Sequence, residues 1–271
     1  MKKAQIAIFA AVALLIVAIV ILLLYVQGII LPLSEEESKA ILSSQVEPLR
    51  SFTSNCIEEA TADALNFLGE HAGYADFAED GLKSIDFAGE KVVVVVRTEN
   101  GFVNRLPSKT AFEEQFNSYI NNGASSQLDN CLNDFAGFKE QGFSVSPGKR
   151  EIRGEISSGS FDVNVDWPIL LRKGRARLQA EAQDIKIIIK VETALRVAND
   201  IVNKEAAGIT FEGLEQDKYI TENSLTFKGV SLDSQNYPTA DQKIFLITTK
   251  ISDPREKEFR FYFAVDRTIP I

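Results

Sequence analysis

Residues 6–26 are 21 consecutive positions without a charge. At about 1.5 Å of rise per residue, a helix of that length spans roughly 31 Å, close to the hydrocarbon thickness of a bilayer. The pattern predicts one membrane-crossing helix, ended by Pro32 and followed by a short acidic connector over residues 34–38. Beyond it, apolar side chains recur in steps of three and four at Leu42, Val46, Leu49, Phe52, Cys56, Ala60, Ala64 and Leu68, the stripe of an amphipathic helix. Proline suits a first helical turn better than an interior, so the main helix is expected to begin near Pro48. Gly69 and Gly73 are its expected stops.

The period then shortens. Residues 92–96 are a β-branched run, too short for a helix and apolar on both faces, which predicts an inner strand. Glu99-Asn100-Gly101 would turn the chain so that residues 102–106 pair back against it. Thr110 and Glu113 have capping-box spacing ahead of a helix carrying Phe112, Phe116, Tyr119 and Ile120 and ended by Asn121-Asn122-Gly123. A second short helix carries Leu128, Cys131, Leu132 and Phe135. Residues 152–156 and 161–167 alternate around Ser157-Ser158-Gly159-Ser160, a hairpin with one buried face, and Pro168 marks its limit. Within residues 175–191 the apolar positions switch from even to odd numbers, predicting a bulge or break near Asp184. Residues 192–207 are helical in spacing, and strands are expected at 224–232, 243–251 and 258–265.

Strands that come in runs, rather than alternating with helices, point to mostly antiparallel sheets. The expected fold class is α+β: a single N-terminal transmembrane helix followed by an ectodomain of mixed helices and mostly antiparallel sheet. Its expected divisions are residues 1–33 (cytoplasmic tip and membrane helix), 34–148 (a helix-rich half with a β-hairpin) and 149–271 (a β-rich half with one helix). The two ectodomain halves either share one core or fold apart.

Lys2 and Lys3 precede the apolar span and Glu35, Glu36 and Glu37 follow it. Positive charge stays on the cytoplasmic side, which predicts a single-pass protein of the cell membrane with its ectodomain outside. An anchor left intact or trimmed at its N-terminus is expected over a removed signal, because the apolar core exceeds a signal's and no small-x-small site follows it. Without residues 1–26 the chain keeps 27 basic and 38 acidic side chains, a formal charge of −11. That balance argues against nucleic acid as a partner and for a soluble ectodomain. Cys56 and Cys131 then lie in an oxidising space, each on the apolar side of a predicted helix. One disulfide is the economical reading, and two buried free thiols are the alternative.

Catalytic patterns are sparse. His71 is the only imidazole, and Gly69-Glu70-His71-Ala72-Gly73-Tyr74 offers no nucleophile, so it reads as a solvated loop histidine. Ser146-Pro147-Gly148-Lys149 has serine-lysine spacing, but Pro-Gly makes a turn where that chemistry needs a helix. Two cysteines and one histidine are too few for a zinc site, nucleotide-binding glycine loops are missing from the sequence, and no cofactor is expected. Glu35 to Glu37, Glu58 with Glu59, and Asp162 with Asp166 read as solvated acids, since no calcium-loop spacing accompanies them. The 92–96 strand could augment a partner's sheet, although burial is the stronger reading.

Lys2-Lys3-Ala4-Gln5-Ile6 resembles the class III signal of archaeal type IV pilins and archaellins. The resemblance implies a prepilin-peptidase cut between Ala4 and Gln5 that leaves the apolar helix attached. The chain departs from pilins at Phe9, where they carry a glutamate, and at Gly28, Pro32 and Pro48, where many continue as one long helix. Further on, Pro48-Leu49-Arg50-Ser51-Phe52, Asn55-Cys56-Ile57, Leu68-Gly69, Ala72-Gly73-Tyr74, Asn130-Cys131-Leu132-Asn133-Asp134-Phe135 and Gln141-Gly142-Phe143 look like a group of uncharacterised membrane-anchored surface proteins of small-genome archaea. That likeness implies a Cys56–Cys131 disulfide and an external location, and it carries over no activity.

The expected function is therefore non-catalytic: a membrane-anchored extracellular protein that binds or scaffolds cell-envelope components. Its expected partners are the lipid bilayer and other envelope or surface proteins, including further copies of itself. The alternatives are a pilin-like subunit assembled through its N-terminal helix and an envelope hydrolase using paired carboxylates.

Overall fold

The computed structural model describes residues 2–26, 35–96, 103–123, 125–223, 229–249 and 256–267. The apolar run forms helix α1 (Lys2–Val26), whose side chains are described over residues 13–25. Those positions cover only about 20 Å of helix, and among the described residues no helix is long and apolar enough to cross a membrane. Pro32 lies outside the described residues, as do the turn at Glu99-Asn100-Gly101, the start of the strand expected at 224–232 and the end of the one expected at 243–251.

The acidic connector turns out to be helix. Glu35, Glu36 and Glu37 form the first turn of α2 (Glu35–Glu70), where carboxylates meet the positive end of the helix dipole. Pro48 sits inside α2 instead of opening it. Its ring removes the N–H that would meet the Ser44 carbonyl, but both residues are exposed, so water can solvate what proline leaves free. The buried stripe runs through Leu42, Leu49, Cys56, Ile57, Ala60, Ala64, Leu65 and Leu68. Ala72 and Gly73 end it at positive φ, and the Gly73 amide donates back to the Leu68 carbonyl at 2.6 Å.

The chain forms two compact units. One comprises residues 1–49, 135–147 and 169–180. It holds α5 (Ala136–Glu140) and a three-stranded sheet in the order β3 (Ser144–Pro147), β6 (Pro168–Lys173), β7 (Ala176–Glu181). Phe143, Val145, Ile169, Leu171, Ala176 and Ala180 are buried there.

The other unit comprises residues 50–134, 148–168 and 181–271. Its five-stranded sheet has the order β1 (Ser84–Phe87), β2 (Glu90–Val96), β11 (Arg260–Asp266), β10 (Gln242–Thr249), β9 (Val230–Asn236). All neighbours run antiparallel except β2 and β11, which pair in parallel with Val94 beside Ala264. The inner-strand expectation for 92–96 holds, but its hairpin partner lies upstream. β1 joins it through Ala88-Gly89, both at positive φ, whereas Asn104 makes only an isolated bridge to Val96. Helix α6 (Val191–Ala206) packs on β2, β10 and β11. Phe245 and Phe263 stack within the sheet at 5.1 Å. Gly69 of α2 passes so close to β11 that a Cβ there would fall 2.0 Å from the Arg260 carbonyl oxygen.

The same unit contains the hairpin of β4 (Glu151–Ser157) and β5 (Ser160–Asp166), extended by β8 (Ile185–Ile187). The period switch near Asp184 is where the chain leaves β7 for β8, in a different sheet, and Asp184 Oδ1 accepts from the Val165 amide at 2.9 Å. Helix α3 (Lys109–Ser118) starts two residues before the expected box, with Ser108 Oγ accepting from the Ala111 amide at 3.2 Å. Glu113 is employed elsewhere. It accepts from the Ile156 amide at 2.7 Å, Asn117 from the Gly154 amide at 2.8 Å, and Asn121 from the Ile152 amide at 3.1 Å. Side chains spaced four residues apart on the helix thus satisfy alternate amides along the outer edge of β4.

A π-turn (Tyr119–Gly123) leads to α4 (Ser125–Leu132). Phe135, expected on that helix, lies instead in a left-handed turn, where Asn133, Asp134 and Phe135 have φ of 44°, 50° and 57°. Helices α5 and α7 (Leu214–Asn223) and strands β1, β3 and β6 have no counterpart in the expected elements. The fold is α+β with mostly antiparallel sheets.

Candidate functional site

Cys56 on α2 and Cys131 on α4 form a disulfide, with S–S 2.03 Å and Cα–Cα 5.7 Å. Both helices turn apolar faces to this junction: Cys56 is 2% exposed, and Ile57, Ala60, Leu128 and Leu132 are buried around it. Ala4 and Gln5 lie within the helical backbone of α1.

The other residues singled out from the sequence are not brought together. His71 is half-buried instead of solvated: its ring lies 4.3 Å from Phe67 and 5.5 Å from Phe77, and Nδ1 is 2.7 Å from the Phe67 carbonyl oxygen. Ser146 and Lys149 flank the end of β3 in extended chain and are exposed. Glu35 pairs with Lys39 at 2.8 Å, and Glu58 with Lys257 at 3.8 Å. Asp162 accepts from the Ser157 hydroxyl at 2.5 Å. Strand β2 has a neighbour on each side and offers no edge for augmentation. Among the described residues, no group of three or more His, Cys, Asp or Glu is placed to hold a metal ion.

The sharpest electrostatic feature was not anticipated. Glu205, 4% exposed at the C-terminal end of α6, receives two hydrogen bonds from Arg267, with Nε to Oε2 at 2.9 Å and a terminal nitrogen to Oε1 at 2.7 Å. The other terminal nitrogen of Arg267 reaches Glu212 at 2.7 Å. Lys243 Nζ donates to the Phe211 carbonyl at 3.0 Å, and the Phe211 amide donates to Glu205 Oε1 at 2.8 Å. Hydrogen bonding to Arg267 holds the Glu212 carboxyl below its usual range, and hydrogen bonding to Glu205, then to Glu212, raises Arg267. Burial lowers Lys243. Beside it, burial and then a hydrogen bond to Asp200 raise the Tyr219 phenol. The charges are mutually satisfied, so the cluster clamps the loop after α6 onto the sheet. One sequence signal marked it: Glu205 continues the buried stripe of Leu195, Ala198, Ile201 and Val202, where a carboxylate needs a cation.

Among the described residues, the largest of three concave places, about 430 Å³, is polar and lined by Glu58, Glu59, Asp63 and Lys257, with Glu58 paired to Lys257 and Asp63 accepting from Gln127; the other two are smaller. A groove of about 170 Å³ on the sheet is walled by Phe87, Ile244, Leu246 and Tyr262, below the size that usually encloses a small molecule. A second, by the β5 edge, gathers Glu151, Asp166 and Asp184, but Glu151 is held by Arg153 and Asp184 by the Val165 amide. Neither presents the free pair of facing acids that glycoside chemistry uses. No family model, curated protein or solved structure matches the chain.

Proposed function

We propose that this is a non-catalytic, single-pass membrane protein whose folded body lies outside the cell and binds or scaffolds envelope components. The observation that carries the reading is α1. Leu14, Leu15, Ile16, Leu22 and Leu23 are between 53% and 72% exposed on a helix whose only charges are Lys2 and Lys3. A helix apolar on all sides is stable when lipid replaces water around it. The Cys56–Cys131 disulfide supports an oxidising compartment for the body, and the lysines before α1 support the orientation. The chain should remain in the membrane pellet after alkaline carbonate and leave it in detergent, and cross-linking on intact cells should recover envelope partners. Release by carbonate, or capture of cytosolic partners alone, overturns the reading.

A second reading, assembly as a pilin-like subunit, is favoured by one observation, the Lys2-Lys3-Ala4-Gln5-Ile6 sequence at the start of α1. Mass spectrometry of the mature N-terminus separates the two: Gln5 as first residue supports prepilin processing, and Met1 rules it out.

A further inference from the structure

We propose that the exposed face of the β3-β6-β7 sheet, through Arg172 and Arg177 with Arg175 at the hairpin turn, binds anionic headgroups of the membrane that holds α1. This rests on the anchor reading. The segments 135–147 and 169–180 carry Lys139, Arg172, Lys173, Arg175 and Arg177 against Glu140, five basic against one acidic and so net +4, while residues 35–49 of the same unit carry Glu35, Glu36, Glu37 and Glu47 against Lys39, and β7 ends at the exposed Glu181. Alternation along the sheet buries Val145, Ile169, Leu171, Ala176 and Ala180, and leaves Arg172 and Arg177 outside. Ser144 of β3 pairs with Arg172 of β6, and β7 is the next strand of the sheet, joined to β6 through Gly174-Arg175, a spacing that as a two-residue hairpin sets Arg172 opposite Arg177.

Like charges facing each other across strands are unfavourable. A phosphate bridging two guanidinium groups removes that repulsion and matches their planar donors. Lys173 is committed elsewhere: its ammonium donates to the Gln141 carbonyl at 3.2 Å and sits 4.2 Å from the Phe143 ring centroid. It adds charge without adding reach. The bilayer is favoured over a free acidic partner by the tether. The β6–β7 turn lies beside the start of α2, where Gly174 approaches Ser38, and the Glu35 carboxyl is held below its usual range first by its hydrogen bond to Lys39 and last by the charge of Arg175. From Val26 at the end of α1 to Glu35 the chain can reach at most about 32 Å.

The test uses the full chain in vesicles of phosphatidylcholine, alone or mixed with phosphatidylglycerol, with carbonate retention and amide hydrogen exchange read together. With anionic lipid, amides of residues 169–180 should exchange about tenfold more slowly than on neutral vesicles, as two or three arginines at a charged surface imply. Raised salt or R172E/R177E should abolish the difference, R172K/R177K should keep part of it, and unchanged exchange in α2 would show that the variants fold. A chain retained in both vesicles with equal exchange overturns the headgroup site and leaves the anchor standing. Protection equally strong on neutral vesicles and lost on dilution assigns the face to another copy of this acidic chain, which also overturns it. Carbonate release removes the anchor, and the headgroup site with it.

Discussion

At the scale of single residues, the Glu205–Arg267–Glu212 group shows what charge does inside this fold. Glu212 is 41% exposed, so its pairing with Arg267 is screened and modest, but its direction is clear. A carboxyl whose folded value is depressed contributes stability above its ordinary unfolded value, near 4.3, and loses it as pH falls through the lowered one. Glu212→Gln should therefore lower the urea midpoint at neutral pH and converge on the parent chain in acid. A gap that persists undiminished in acid would show that packing, and not charge, is lost. Glu205 was legible as an acid on a buried stripe, but its partner Arg267 lies 62 residues on, and nothing in local spacing announces such a pairing.

At the scale of elements, α3 shields the outer edge of β4. An unpaired strand edge is a template for another chain, and here Glu113, Asn117 and Asn121 occupy its amides at 152, 154 and 156. Replacing all three by alanine should leave α3 helical and open that edge, giving dimers or larger species by light scattering. A variant that stays monomeric with unchanged stability would mean that water serves the edge equally well. Periodicity revealed most strands and helices, because burying one face imposes a repeat of two or about 3.6 on the apolar positions. It missed β1, β3 and α5, four or five residues each, which are too short to carry a repeat, β6, which Pro168 opens although a proline there is expected to close a strand, and α7, which is polar over most of its surface. Pro48 misled because the local penalty of proline was read without the exposure of its face.

At the scale of the whole molecule, the disulfide joins residues 75 apart, and its effect is felt through the unfolded chain. Loop entropy gives about 4 to 5 kcal/mol for a bridge of that span, so Cys56→Ser should lower unfolding stability by several kcal/mol, measured by denaturant under oxidising conditions. A loss below about 1 kcal/mol would mean that α4 is held by packing alone. The pairing could be read from two cysteines on two apolar faces. The interleaving of segments 135–147 and 169–180 with residues 1–49 could not, since it depends on which strands share a sheet.

The parallel pairing of β2 with β11 has a further consequence for how the protein is made. Val94 meets Ala264 across 170 positions of chain, and β11 lies between β2 and the rest of its sheet. As the ribosome elongates the chain, a valine run apolar on both sides must wait, half-covered by β1, until residues 260–266 have been synthesised. Shortening the chain before residue 260 should therefore yield aggregates instead of a smaller folded protein.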